Sequence, residues 1–225
     1  MAEKSTYPTS SEPVAVPAGD FYEWLCGAEA SLQSGTVATV VPCGACTACC
    51  RSSMFIHINP EETQTIQRIP RALLFDAPGL PKGHLVMGYN EKGHCPMLVD
   101  DKCSIYEYRP QTCRSYDCRV FAATGVAVDQ DQPDIAHRVN AWVFNYESEE
   151  SRKEHRTLKQ AATFLQKNGH LFPPGTLPTR PAQIAALAVR IYGIFAPNTN
   201  DATKPDAELA RAILIALNEP QTFSK

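Results

Sequence analysis

The chain has 225 residues, 44% of them hydrophobic, with a formal net charge of -3. That length can bury a sizeable core and suits one domain with a helical extension. The near-neutral balance gives no electrostatic case for nucleic acid or an anionic membrane, and no run approaches the roughly eighteen apolar residues of a membrane span.

Residues 1–19 are rich in Ser, Thr and Pro (Ser5, Thr6, Pro8, Ser10, Ser11, Pro13, Pro17) and lack an apolar stretch of signal-peptide type. They read as a disordered tail, which points to the cytoplasm, where thiols stay reduced. Asp20 then opens a helix: it can cap the first turn, Glu23 follows three residues on, and Phe21, Trp24, Leu25, Ala28 and Leu32 recur at helical spacing, with Gly35 as the stop. Thr36 to Val41 has the β-branched content of a short strand, and Met54 to Ile58 that of another. Asn59-Pro60-Glu61-Glu62 reads as a helix start, with Asn59 as cap and Pro60 at the first position, and Pro70 ends that helix. A Pro/Gly loop from Pro78 to Gly83 leads to a strand around Leu85 to Tyr89. Met97 to Val99 is a strand closed by a turn at Asp100-Asp101-Lys102, which carries Cys103 back towards Cys95.

The second half reads as helical. Helices are predicted over Ile135 to Asn145, over Ser148 to Asn168 with the stripe Leu158, Ala161, Ala162 and Leu165, and along Ile184, Leu187, Ala188, Ile191, Tyr192 and Phe195. A last helix starts near Asp206, with Ala210, Ile213, Leu214 and Leu217 inward. The expected fold is α+β and mostly helical: a small, irregular cysteine-rich core with short strands over residues 43–118, covered by flanking helices and a helical part at 134–218, together a single domain from residue 20 to 225.

Eight of the nine cysteines fall into two groups: Cys43, Cys46, Cys49 and Cys50 in one run, then Cys95, Cys103, Cys113 and Cys118. Two successive C-x2-C spacings with only Gly, Ala and Thr between them let a tight loop turn three thiolates to one centre, as in metal knuckles and iron–sulfur sites. Eight thiols suffice for two four-ligand centres, or for one with four left over. Because Cys49 and Cys50 are adjacent, their side chains should diverge if the backbone is extended there. Cys43, Cys46 and Cys49 are therefore expected to serve one centre, while Cys50 faces another or stands behind the ligands; Cys95-Pro96 parallels the Cys-Pro of bacterial ferredoxins and offers the fourth ligand, which leaves Cys103, Cys113 and Cys118, with Cys50, as the other set. A four-thiolate zinc or oxidised four-iron centre carries two negative charges, and Arg51, Arg109, Arg114 and Arg119 stand close enough in sequence to offset them, or else to pair with Asp100, Asp101, Glu107 or Asp117 at the surface. His57, His84 and His94 read as non-ligands, Tyr106, Tyr108 and Tyr116 as packing groups, and Cys26 as an ordinary thiol of the first helix.

The text Cys43-x2-Cys46-x2-Cys49-Cys50, Cys95-Pro96, Cys103-Ser104-Ile105-Tyr106 and Arg109-Pro110-x2-Cys113-Arg114-x-Tyr116-x-Cys118 resembles the YkgJ-type CxxCxxCC cysteine-cluster family over about Cys43 to Cys118. The resemblance implies chelation of zinc or iron by these eight cysteines and names no reaction. Flagellin lysine methylases, which carry an iron–sulfur centre, look related at the cysteine cluster. No Gly-rich loop follows a strand in this chain, so methylase activity does not carry over.

Three functions follow: a metal-binding protein with an iron–sulfur or zinc centre, an iron–sulfur redox or radical-type enzyme, and an interaction module whose zinc only holds the fold. The three-cysteine run inclines the choice to iron–sulfur. No Ser-His-Asp set, phosphate loop or metalloprotease helix supplies catalytic residues.

Overall fold

The computed structural model describes residues 14–34, 41–196 and 204–218. It is α+β and mostly helical, with short strands in small sheets. Strand β1 (Val16–Asp20) runs directly into helix α1 (Phe21–Ser34). The Asp20 carboxylate makes the switch, accepting the Tyr22 amide at 2.8 Å and the Glu23 amide at 3.1 Å, two donors that the first helical turn leaves unpaired.

β1 occupies the end of the stretch read as a tail. It pairs in parallel with β7 (Trp142–Asn145), Val16 opposite Trp142 and Asp20 opposite Asn145. The helix expected over 135–145 is accordingly shorter: α5 spans Pro133–Ala141, and the chain becomes extended at Trp142. Trp142, Val143 and Phe144 are aromatic or β-branched, and the Trp142 and Phe144 side chains alternate inward, so a strand buries them where a helix would turn Phe144 elsewhere. The strand expected at 36–41 lies outside the described residues, apart from Val41.

In the cysteine-rich segment, β2 (Ile56–Ile58), β3 (Leu74–Asp76) and β4 (Leu85–Met87) form an antiparallel sheet in the order β2-β4-β3. Helix α2 (Thr63–Arg68) starts later than expected. Asn59 to Glu62 form a turn, closed by Glu62 N–H to the Asn59 carbonyl at 3.1 Å, and the Glu62 carboxylate accepts the Asn59 amide at 2.8 Å. Pro70 lies just past the helix end, as expected. β5 (Leu98–Val99) and β6 (Lys102–Cys103) make the expected hairpin; Asp100 and Asp101 hold φ of 49° and 57°, the left-handed pair of a tight two-residue turn. Helices α3 (Gln111–Ser115) and α4 (Arg119–Thr124) follow, the latter stopped by Gly125 at φ 73°, a conformation glycine takes without strain.

Helix α6 (Glu149–Lys167) begins at a true cap, Ser148 Oγ accepting the Ser151 amide at 3.1 Å. Then come α7 (Pro181–Ile191), with proline in its first turn, and α8 (Asp206–Asn218). Their apolar faces meet α1, α4, α5 and β7 in one large buried cluster that includes Phe21, Trp24, Phe121, Ile135, Leu158 and Ile213. Each such side chain contributes about 1.5–3 kcal/mol on burial. A second cluster, of Ile56, Ile58, Leu74, Met87, Met97 and Ile105, lies under the three-stranded sheet. No described helix is long and apolar enough to cross a membrane.

Candidate metal centre

The cysteines sit where the two apolar clusters adjoin. Cys46 and Cys49 pack against the large cluster, of which Cys118 is a buried member; Cys95, Cys103 and Cys113 pack against the smaller one. Met54 touches both. Between them lies a cavity of about 790 Å³, lined by Cys43, Cys46, Cys49, Cys50, Cys95, Cys103 and Cys113 with mainly apolar neighbours, among them Val41, Met87 and Met97.

The first run bends as its small residues predict. The Cys46 amide closes a turn on the Cys43 carbonyl at 3.0 Å with Gly44 at φ 57°, and the 3₁₀ turn Ala48–Arg51 carries Cys49 and Cys50. These two do diverge, although the backbone between them is coiled and not extended. The Cys49 sulfur lies in the electrostatic range of Cys118, Cys43 and Cys46, and more weakly of Cys113; the Cys50 sulfur lies against Cys95, with Cys103 and Cys113 near it.

Cys95 and Cys118 thus stand in exchanged places relative to the expected partition. The Cys95 amide donates to the Cys50 carbonyl at 2.7 Å, and the two side chains share a thiol–thiol hydrogen bond. The β5–β6 hairpin sets Cys103 opposite Leu98, whose amide closes a turn on the Cys95 carbonyl at 3.0 Å. Cys118, one residue before α4, instead lies near Cys43 and Cys46.

The sulfurs have donors of their own. Cys95 is held below the ordinary thiol range by the Cys50 thiol and, against the opposing effect of burial, by the Met97 and Leu98 amides. The Ile105 amide does the same for Cys103, though burial leaves it raised overall. Trp142 donates its indole N–H to the Cys118 sulfur at 3.2 Å. Burial pushes Cys118 up to about 11 and Cys113 to about 12, and raises Cys49 and Cys43 as well. Desolvation thus opposes lone thiolates here, while the amide and indole donors are aimed to stabilise bound ones. A cation in the cavity would reverse the desolvation effect, because it supplies the opposite charge.

The four arginines divide between the site and other partners. Arg51 pairs with Asp101, and Arg114 donates to the Arg109 carbonyl. Arg119 is buried against Asp117 at 2.7 Å, where it also holds the Ala18 carbonyl while Asp117 accepts the Trp24 indole. Of the four arginines, Arg109 acts on the site, lowering Cys43, Cys103 and Cys113 against burial. The second cation is one that spacing did not reveal. Arg138 of α5 stacks on the Trp142 ring at 4.2 Å, donates to the Pro42 and Cys43 carbonyls at 3.3 Å each, and keeps a buried Nε–H without a partner. It lies twenty residues past the last clustered cysteine, so only the fold brings it near.

Cys26 is exposed on α1. His57 and His84 pair with each other at 3.0 Å, and Arg68 and Arg109 lie over the rings of Tyr108 and Tyr106. Tyr116 is partly buried beside Cys49 and Cys118. Among the described residues, no three Cys, His, Asp or Glu side chains meet at the one point that a single ion would occupy.

Residues 42–141 match the CxxCxxCC family model. That family is described as a "putative zinc- or iron-chelating domain". The CxxCxxCC segment takes in all eight clustered cysteines and continues through α5, so Arg138 falls within it; Trp142 is the next residue after its end. No curated protein and no solved structure matches the chain.

Proposed function

We propose that this is a metal-binding protein in which Cys43, Cys46, Cys49, Cys50, Cys95, Cys103, Cys113 and Cys118 hold iron as iron–sulfur centres. The observation that carries the reading is that seven of these thiols line one largely apolar cavity, with Cys118 near Cys43 and Cys46, and that backbone and indole N–H groups are turned to the sulfurs of Cys95, Cys103 and Cys118. Such donors serve a thiolate, the form that ligates metal, far more strongly than a neutral thiol, whose sulfur is only a weak acceptor.

Two features favour a cluster over a single ion. Zinc–sulfur bonds of about 2.3 Å put four sulfurs about 4 Å apart around one point, whereas the cysteines of a four-iron cluster each hold a different iron and stand further apart. Seven of the thiols line a cavity of about 790 Å³, and among the described residues no three of them converge on one point. A single ion takes the room of about one water, roughly 30 Å³. When bound, such a group supplies one-electron redox chemistry. This chain's residues would ligate it, exclude water with Met54, Met87 and Met97, and offset its charge with Arg109 and Arg138. Four thiolates on each centre leave no open position, which favours electron transfer or a structural role over catalysis at the metal.

Anaerobic purification followed by a visible spectrum and elemental analysis tests the reading. Brown protein with iron and acid-labile sulfide is expected. Colourless protein with stoichiometric zinc would replace it with a structural-zinc module.

A further inference from the structure

Resting on that reading, we infer that the eight thiols form two separate four-cysteine centres, one of Cys43, Cys46, Cys49 and Cys118 and the other of Cys50, Cys95, Cys103 and Cys113.

Four independent observations give the same division. The first is packing: Cys46, Cys49 and Cys118 belong with the large apolar cluster, and Cys95, Cys103 and Cys113 with the small one. The second is contact: Cys50 meets Cys95 through backbone and side chain, and Cys103 shares a hairpin with Leu98, which closes the turn on Cys95. The third is divergence at the Cys49-Cys50 step, where the 3₁₀ turn sends adjacent sulfurs to opposite groups. The fourth is the donor set. Amides of Met97, Leu98 and Ile105 serve the second group, whereas the Trp142 indole serves the first, beside Arg138 on the Cys43 carbonyl.

In sequence the second group is nested inside the first. The outer set closes the chain from Cys43 to Cys118, and the inner set from Cys50 to Cys113. One bound group cannot satisfy both sets. Four-cysteine ligation completes either a zinc ion or a four-iron cluster, so each set is a full ligand complement. The two adjoin through Cys49 and Cys113, whose sulfurs lie in electrostatic range of each other, and Arg109 acts on members of both.

The test uses the metal-loaded full chain and two variants, Cys118→Ala and Cys103→Ala, read by metal content and by protection of each remaining cysteine from alkylation, located by peptide mass spectrometry. Each variant should lose about half of the metal. In Cys118→Ala, Cys43, Cys46 and Cys49 become reactive while Cys50, Cys95, Cys103 and Cys113 stay protected. In Cys103→Ala the pattern reverses. Exposure of Cys50 or Cys95 on loss of Cys118, or complete metal loss from both variants, overturns the division. Should either variant fail to accumulate, stepwise chelation of the wild type gives the same readout without mutation. Two sets of four thiols must open at different chelator concentrations with these memberships, and any other grouping, including one set of eight, refutes it. Zinc at both sites leaves the division standing and sinks the iron–sulfur reading, whereas a wild type that takes up no metal overturns both.

Discussion

His155 ties together the core on which the first thiol group rests, and acid should loosen it in a measurable way. Its ring stacks on Phe21 at 4.3 Å, its Nε2 donates to the Ala123 carbonyl at 2.9 Å, and its Nδ1 accepts the Tyr146 hydroxyl at 2.6 Å. It therefore links α6 to α1, α4 and the residues after β7, and all of its ring capacity is used as the neutral form. Burial, with Lys159 nearby, lowers it from 6.5 to about 4. The unfolded chain takes up a proton below 6.5 and the folded one only near 4. Stability is therefore complete above 6.5 and declines as pH falls through that window. At full desolvation the difference is worth on the order of 3 kcal/mol, and partial solvent access from the side of Arg152, Arg156 and Lys159 reduces it to roughly 2 kcal/mol. Urea unfolding of the wild type and of His155→Gln, at a series of pH values between about 7.5 and 4.5, measures it. Metal release acts on both proteins alike and cancels in the difference. The wild type should lead at neutral pH, and its lead should shrink by about 2 kcal/mol at the acid end. A lead that stays constant would refute the account of a His held neutral.

Cys46→Ser should lower metal content and the thermal midpoint together, since the binding free energy of such a centre is folding free energy, while Cys26→Ser should leave both unchanged; metal analysis with a melting curve decides. Trp142→Phe keeps an aromatic ring under Arg138 and removes the N–H to Cys118, so in iron-loaded protein the first centre's reduction potential should fall by about 40–90 mV, the equivalent of ~1–2 kcal/mol. An unchanged potential in a redox titration would mean that this indole does not act on the centre. Arg119→Ala leaves the part-buried Asp117 carboxylate without its cation, held only by the Trp24 indole and the residue-119 amide, and should cost roughly 3 kcal/mol by urea unfolding, out of line with an exposed pair such as Arg152 with Glu149. Limited proteolysis of the metal-bound protein should trim the first residues and spare the 125–133 connection, where Val126 is buried; release of two folded pieces by cutting near Asp129 would show two domains.

Local chemistry made much of this fold legible. The Asp20 and Ser148 caps, the Asp100-Asp101 turn and the stripes of α6, α7 and α8 all depend on neighbours within a few residues, and each lies where its pattern predicts. The strand pair β1–β7 was not legible. Each strand is short, one ends in the cap of a helix and the other follows a helix without a break, and their pairing spans more than a hundred residues. The site divides the same way. Spacing singled out eight thiols, but which thiol faces which is set by the hairpin that returns Cys103 and by the core that buries Cys118. Arg138 and Trp142 had no motif to mark them; an arginine and an aromatic four residues apart at the end of a helix is ordinary surface text until the fold sets them beside Cys43 and Cys118.

The placement of the thiols explains why metal and fold should be inseparable here. The smaller apolar cluster is built from short strands and turns, and its few buried side chains supply little stability on their own. The larger cluster is continuous across the 125–133 connection, since Phe121 before it, Val126 within it and Ile135 after it share the cluster. What joins the small cluster to the large one is the run from Cys43 to Cys50, which gives thiols to both, with Met54 just beyond it. A bound centre on each side of that run would fix the short strands against the helices through covalent-strength ligation, where apolar contact alone is thin. Removing metal should therefore loosen the sheet and the β5–β6 hairpin first and leave the helical core in place. Hydrogen exchange on the chelated protein reads this directly: amides of Ile56, Ile58, Met87 and Cys103 should lose protection while those of Leu158, Leu165 and Val189 keep it. Equal loss across both clusters would mean that the fold is one cooperative unit even without its metal.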